Sequence, residues 1–259
     1  MSEPETIFTR EPPLAVLTLN RPRFHNALTW AMYDAIVRVC GELEHDEEVR
    51  VLIVRGAGDR AFASGTDIAQ FEEVRNANDG LAYERRLERA VGALEGPSTP
   101  TIAAIEGYAV GGGAALALVC DLRYGSVNSK IGVPIARTVG NCLSTANYAR
   151  LLDLVGPART LELLYRAQLI TAATARELGL LNETVADGQA YERARQVGFE
   201  IAAHAPLTLR ATKRALRRLQ QARRQVAGDD LIAEVYGSED FREGVRAFAE
   251  KRRPHFRGH

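Results

Sequence analysis

Three consecutive glycines, Gly111-Gly112-Gly113, stand between Gly107-Tyr108-Ala109-Val110 and the apolar run 114–119, AALALV. No other feature of the chain restricts its fold as much. Glycine takes positive φ without steric cost and lets two backbones approach with no Cβ between them. A triglycine leading into an apolar helix therefore marks a tight, buried turn. Free N–H groups at such a helix start point outward, and the helix dipole favours negative charge there. A peptide N–H at this place can stabilise an oxygen that gains negative charge. Taken alone, the run is also read as a turn needed only for packing.

The turn sits in an alternating pattern. Residues 14–20 (LAVLTLN), 49–55 (VRVLIVR) and 101–106 (TIAAIE) read as strands. Thr29 reads as the N-cap of a helix over 30–44, with Met32, Ile36, Val39 and Leu43 at helical spacing. A polar stretch covers 70–82 and a helix about 83–94, ended by Gly96-Pro97. Asp121 to Ile131 suggests two short strands, and 182–185 a last one. From Gly156 onward the chain reads as mostly helical: Pro157 and Pro206 suit first helical turns, and Thr171 and Thr174 suit caps. The alternation predicts an α/β core over 1–195. The helical segment 196–259 reads as an appendage that packs on the core or on a neighbouring subunit.

At 259 residues the chain is long enough for a core without disulfide or metal. Its three cysteines, Cys40, Cys120 and Cys142, are widely spaced with no CxxC, so neither a disulfide framework nor a metal site is expected. The 33 basic and 33 acidic residues cancel, which argues against nucleic acid as partner. The acidic start lacks a signal-peptide pattern and no long apolar window occurs, so a cytoplasmic protein without membrane contact is expected. The neutrality is a sum of unequal parts. Residues 206–259 carry 13 basic and 7 acidic side chains, including Lys213, Arg214, Arg217, Arg218 and the run Lys251-Arg252-Arg253.

Among short motifs, GAGDRA after VRVLIVR weakly matches a dinucleotide fingerprint. The segment Ala61-Phe62-Ala63-Ser64-Gly65 that follows reads as strand or turn, not as the helix such a site requires. GxxxxGK[ST], HExxH and GxSxG are absent. The informative partner of the triglycine is Ala61-Phe62-Ala63-Ser64-Gly65-Thr66-Asp67, about 45 residues earlier. Together the two segments resemble the enoyl-CoA hydratase/isomerase (crotonase) family, where FCAGAD-like and GYALGGG-like segments occur in this order. Asn20-Arg21-Pro22 with Asn26-Ala27-Leu28, Asp121-Leu122-Arg123, Leu178-Gly179-Leu180-Leu181-Asn182 and the stretch Glu243 to Arg252 extend the resemblance over residues 10–257.

The resemblance implies a crotonase-like spiral of ββα units with a helical C-terminal segment. It implies an acyl-CoA substrate, with coenzyme A as carrier and no permanently bound cofactor, and a homotrimer or dimer of trimers. Thr66 and Gly112 would supply two backbone N–H groups to an oxyanion hole. Arg23, Phe24 and His25, with Ala63, Gly65 and Asp67, would lie along the carrier, Asp67 also holding its turn. Phe248 and Lys251 would reach the adenine or its phosphate, although Phe248 is equally read as a helix-packing aromatic.

The resemblance breaks at the proton-transfer residues. The two glutamates with which a hydratase of this family activates water fall on Ala115 and Ile135. Neither side chain can exchange a proton. Ordinary hydration is therefore not expected, and isomerisation or decarboxylation of an acyl-CoA is. A non-catalytic CoA-thioester binder is the alternative. Arg137, Asn141 and Ser144 are candidates to bind a carbonyl or carboxylate of the acyl group. Cys142 is a candidate nucleophile or an inert buried thiol, and Glu72, Glu73 and Tyr148 are further proton-transfer candidates.

Overall fold

The computed structural model describes residues 3–223 and 226–259. In chain order, β1 (Thr6–Glu11) and β2 (Leu14–Leu19) form a hairpin, followed by α1 (Trp30–Leu43). Thr29 caps α1 as expected, its hydroxyl accepting from Met32 N at 3.3 Å. Then come β3 (Val51–Gly56), β4 (Ala61–Ala63), α2 (Ala77–Glu95), β5 (Thr101–Ile105), β6 (Tyr108–Val110) and α3 (Gly112–Val119). The third such group is β7 (Leu122–Ser126), β8 (Lys130–Gly132) and α4 (Thr145–Arg166). Within α4 the helix breaks at Gly156, φ 72°, and restarts at Pro157. β9 (Ile170–Thr171), α5 (Ala172–Glu177), β10 (Glu183–Val185), α6 (Ala190–Ala202), α7 (Pro206–Arg223), α8 (Asp229–Gly237) and α9 (Glu239–Ala249) complete the chain.

Three successive pairs, β3–β4, β5–β6 and β7–β8, each send their first strand to one sheet and their second to another. The larger sheet has the order β1-β2-β3-β5-β7-β10 and the smaller β4-β6-β8-β9. With α2, α3 and α4 following the pairs, this is the expected spiral of ββα units. Within the larger sheet the pairs from β2 to β10 are parallel. A parallel sheet is covered on both faces, and alternate residues divide accordingly. Ala15, Leu17, Leu52 and Val54 face the main core, whereas Leu14, Val16, Val51 and Ile53 lie under Ala190, Ala194 and Val197 of α6. The division expected after residue 195 falls inside α6.

Four local readings differ from the sequence pattern. β1 is a largely exposed edge strand that carries little apolar alternation. α2 begins six residues before 83, because Asn76 caps it by accepting from Asp79 N at 3.1 Å. The glycine turn contains a strand, β6. Thr174 is not a cap but lies inside α5, its N–H donating to the true cap, Thr171.

The basic C-terminal end is also less available than its composition implied. Lys213 is buried, with Nζ 2.7 Å from Asp121 and 2.9 Å from the Thr99 carbonyl. Arg217 binds Glu95 at 2.8 Å and Asp121 at 3.2 Å. These two cations hold α7 to the core. Among the described residues no helix is long and apolar enough to cross a membrane, and no cluster of His, Cys, Asp or Glu could hold a metal.

Candidate active site

The N-terminal signature builds the first wall. The buried Asn26 side chain donates to the carbonyls of Ala61 at 2.7 Å and Ala57 at 3.0 Å, and accepts from Arg21 N at 2.9 Å. Arg21 reaches Asp67 at 2.8 Å and the Ala27 carbonyl at 2.6 Å. Asp67 also accepts from Ala69 N at 3.2 Å, so it holds its turn as expected. Leu28 N donates to Gly65 O and Leu28 O accepts from Asp67 N, both near 2.9 Å or closer. This bridge brackets Thr66 and leaves the Thr66 amide unused. Among the described residues, neither the Thr66 nor the Gly112 amide has a protein acceptor.

The triglycine brings the second wall against the first. A Cβ on Gly113 would overlap the Ala63 carbonyl oxygen and approach Ala63 Cβ to 2.7 Å. A Cβ on Gly112 would overlap the Tyr33 hydroxyl and come 3.1 Å from Thr66 Oγ1. Gly111 and Gly65 take φ of 53° and 113°, where only glycine is unstrained. The glycines therefore serve close approach, not merely turning. Two free amides on touching segments beside one cavity can hold an oxygen that gains negative charge.

Thr66 has a second task. Tyr83 donates to Thr66 Oγ1 at 2.9 Å, and Thr66 in turn meets the Tyr33 hydroxyl at 2.8 Å. Burial pushes both phenols well above their usual range. Thr66→Ala is expected to leave two buried hydroxyls without a partner and to lower stability by about 2 kcal/mol in denaturant titration. Thr66→Ser should stay close to the parent, and activity should survive in both because the amide remains.

The cavity beside these amides has a volume of about 120 Å³. Thr66, Gly112, Ala115, Ile135, Asn141 and Phe248 line it, with Tyr83, Glu84 and Asn147. Ala115 and Ile135, which stand where the resemblance expects two glutamates, are thus part of its wall. Among the described residues no lysine or arginine lines it, and Glu84 and Tyr83 are its ionisable groups. Phe248 also lines a wider open groove of about 730 Å³ with Arg137, Arg166, Arg252 and Arg253.

Several expected residues are elsewhere. Arg137 is exposed and lines the open groove, not the acyl-sized cavity. Cys142 is buried, with Sγ 3.8 Å from the Leu231 carbonyl, and burial pushes its thiol up to about 12. Such a thiol is not a nucleophile, and it does not line the cavity. Ser144 caps α4, and Tyr148 accepts from Leu143 N at 3.4 Å. Glu72 and Glu73 are exposed. Arg23, Phe24, His25 and Lys251 are exposed and do not line the cavity, Phe24 lying under the Arg21 guanidinium at 4.8 Å. Ala63 is buried in β4 as the surface on which Gly113 packs.

The folded chain adds residues that sequence reading missed. Glu84 is 4% exposed. The Tyr236 hydroxyl donates to its Oε1 at 2.5 Å and accepts from Asn141 Nδ2 at 3.1 Å. Burial pushes the Glu84 carboxyl up to about 7, against the opposing pull of the Tyr236 bond. A signal for Glu84 was present: it lies on the buried stripe Gly80, Tyr83, Leu87, Val91, Leu94, where a carboxylate is out of place.

The model of the enoyl-CoA hydratase/isomerase family matches residues 9–259. The chain belongs to the enoyl-CoA hydratase/isomerase family. A short-chain-enoyl-CoA hydratase from Clostridium acetobutylicum is 32% identical over 250 residues, 95% of each chain. An enoyl-CoA hydratase/carnithine racemase structure from Magnetospirillum magneticum is 33% identical with a TM-score of 0.81, covering 100% of this chain and 97% of that one. A methylmalonyl-CoA decarboxylase in complex with 2-nitronate-propionyl-CoA is 27% identical with a TM-score of 0.89 over the whole of both chains. The crotonase fold expected from the motifs is therefore the fold of this family member, and its family acts on acyl-CoA thioesters.

Proposed function

We propose that this family member forms the enolate of an acyl-CoA, holds its oxygen with the Thr66 and Gly112 amides, and moves a proton or releases a carboxyl group instead of adding water. The observation that carries this reading is the pairing of two unused amides with Ala115 and Ile135 in the same cavity wall. An enolate oxygen finds donors there, but a water between two carboxylates does not find its partners. The lining favours isomerisation over decarboxylation, because a substrate carboxylate would meet no cation among the described residues. The decarboxylase reading keeps support from the likeness to methylmalonyl-CoA decarboxylase and from the mostly apolar wall, which destabilises a carboxylate more than the product.

Coenzyme A acts as the carrier of the substrate in this reading. Phe248 joins the cavity to the arginine-bearing groove, a route for the pantetheine arm and its phosphates. Assembly as a homotrimer or dimer of trimers and a cytoplasmic, fatty-acid-related role belong to the same proposal. Light scattering of the purified protein tests the assembly.

The function is tested by incubation with crotonyl-CoA, a β,γ-unsaturated acyl-CoA and methylmalonyl-CoA, with products read by mass spectrometry. The expected product is the α,β-unsaturated isomer, with hydration of crotonyl-CoA at least about 100-fold below ordinary hydratase turnover. Hydration at ordinary rates overturns the reading. Tight binding of all three with no product identifies a thioester-binding pseudoenzyme instead.

A further inference from the structure

Buried polar atoms in native proteins are nearly always hydrogen-bonded, and exceptions mark places where something else is needed. Four buried side-chain atoms among the described residues have no partner: Glu84 Oε2, Asn141 Oδ1, Asn147 Nδ2 and Arg86 Nε. The first three belong to residues that line the acyl-sized cavity. They come from α2, from the segment before α4 and from α4 itself, so their convergence is a product of the fold.

Glu84 is the most constrained of them. One oxygen is taken by Tyr236, and the other is left without a partner. Tyr236 is held by the absence of a side chain at Gly80, one turn before Glu84. A Cβ there would overlap Tyr236 Cβ and reach its Cγ at 2.5 Å. The ring also packs on Phe241 at 4.7 Å and Tyr83 at 5.8 Å. Tyr236 is therefore closely packed, and its hydroxyl holds Oε1 of the carboxyl. A buried oxygen without a partner is costly in a carboxyl needed only for packing, and Glu84 is a residue that lines the cavity.

We propose that Glu84 is the acid/base residue of this enzyme, exchanging a proton through Oε2 with the acyl group, and that Tyr236 is its positioning residue. This rests on the acyl-CoA reading of the cavity. In the forward step the Glu84 carboxylate takes a proton from the α-carbon. The C–H pair becomes the enolate double bond, and the negative charge goes to the thioester oxygen. In the return step the same proton passes from Glu84 to the γ-carbon of the extended enolate, giving the α,β-unsaturated thioester. One carboxyl both takes and gives, so neither hydratase glutamate is needed.

Glu88 of α2, the Tyr236 hydroxyl of α8 and the Ser144 backbone act on Glu84, and a charged Glu84 in turn raises Tyr33 of α1, Tyr83 of α2, Cys142, Tyr148 of α4 and Tyr236, the ionisable groups that face it. Glu88 is itself paired with Arg150 at 2.6 Å. The Ser144 backbone and the Tyr236 hydroxyl favour the ionised form; burial and Glu88 oppose it. The balance leaves a group that can both accept and donate near neutral pH.

The test follows a β,γ-unsaturated acyl-CoA in D2O, reading deuterium uptake and isomer formation by mass spectrometry, with affinity by calorimetry. Glu84→Gln should lose at least about 100-fold in proton transfer with affinity unchanged. Tyr236→Phe removes a bond that favours the carboxylate, so the limb of the pH profile that requires ionised Glu84 should move to higher pH. A purely structural tyrosine would not move it. If Glu84→Gln does not fold, the Tyr236→Phe profile decides. Proton transfer within threefold of the parent in Glu84→Gln, or an unmoved limb in Tyr236→Phe, overturns the proposal. So does a parent protein that binds the thioester without exchanging a proton. A parent that does not bind it at all overturns instead the acyl-CoA reading.

Discussion

Gly113→Ala is expected to lower proton transfer on the acyl group at least about 100-fold, since displacements near 1 Å in a catalytic constellation cost that much. The new methyl would overlap the Ala63 carbonyl oxygen and stand 2.8 Å from the carbonyl carbon. Both are backbone atoms, so no side chain can rotate out of the way. Ala63 lies three residues before Thr66, and Gly113 follows Gly112 directly. The strain must therefore separate the two segments that carry the free amides. Overpacking of this kind also costs about 1–3 kcal/mol. Steady-state kinetics with a thermal melt checks both parts. A variant that keeps full activity would show that the two segments need not touch.

Arg150→Ala should destabilise the fold more than Thr66→Ala does. The guanidinium, 8% exposed, spans Glu88 and Glu95 of α2 with contacts of 2.6 and 2.7 Å. It also donates to Asn147 Oδ1 at 2.9 Å. Removing one partner of such a cluster leaves uncompensated charge in a poorly solvated place, for about 3 kcal/mol and a melting point roughly 10 °C lower. The figure is held down because Arg217 still binds Glu95 and Glu88 is a third exposed. Lysine should not restore the loss, since an ammonium cannot reproduce the fork that holds two carboxylates. Differential scanning calorimetry of the two variants checks this. The substitution also releases Asn147 and unmasks Glu88 beside Glu84, so proton transfer should fall with stability.

The legible part of this protein is the part written in backbone. Gly65 and Gly111 take positive φ, Gly113 meets the Ala63 backbone, and Gly112 leaves room for the buried Tyr33 hydroxyl. Asn26 and Asp67 stand in short motifs, although they bind carbonyls of Ala57 and Ala61 and the Arg21 guanidinium from other segments. Glycine answers such requirements whether the contact is near or far in the chain, so short motifs display them. The same holds for Ala115 and Ile135: what they lack is plain from residue type alone. Side chains whose roles depend on distant partners are not legible in this way. Arg137 and Cys142 lie near Asn141 in the chain, which suggests a shared site. The turn before α4 instead sends Arg137 to an open groove and Cys142 against α8. Lys213 and Arg217 count toward the basic end of the chain, but Asp121 and Glu95 meet them in the fold.

Sequence alone thus determined an α/β core, because strand–helix alternation is a short-range property, and its motifs carried the resemblance that implied the spiral of ββα units and the two amide-bearing segments. It also determined that the usual pair of glutamates is missing. Only the tertiary structure decided what stands near the gap. Glu84 from α2, Tyr236 from α8 and Asn141 before α4 meet through hydrogen bonds spanning up to 152 positions of chain. No local pattern encodes such a meeting. It arises because Gly80 leaves room for Tyr236, and because burial on the apolar stripe of α2 makes an ordinary glutamate into a carboxyl that titrates near neutrality.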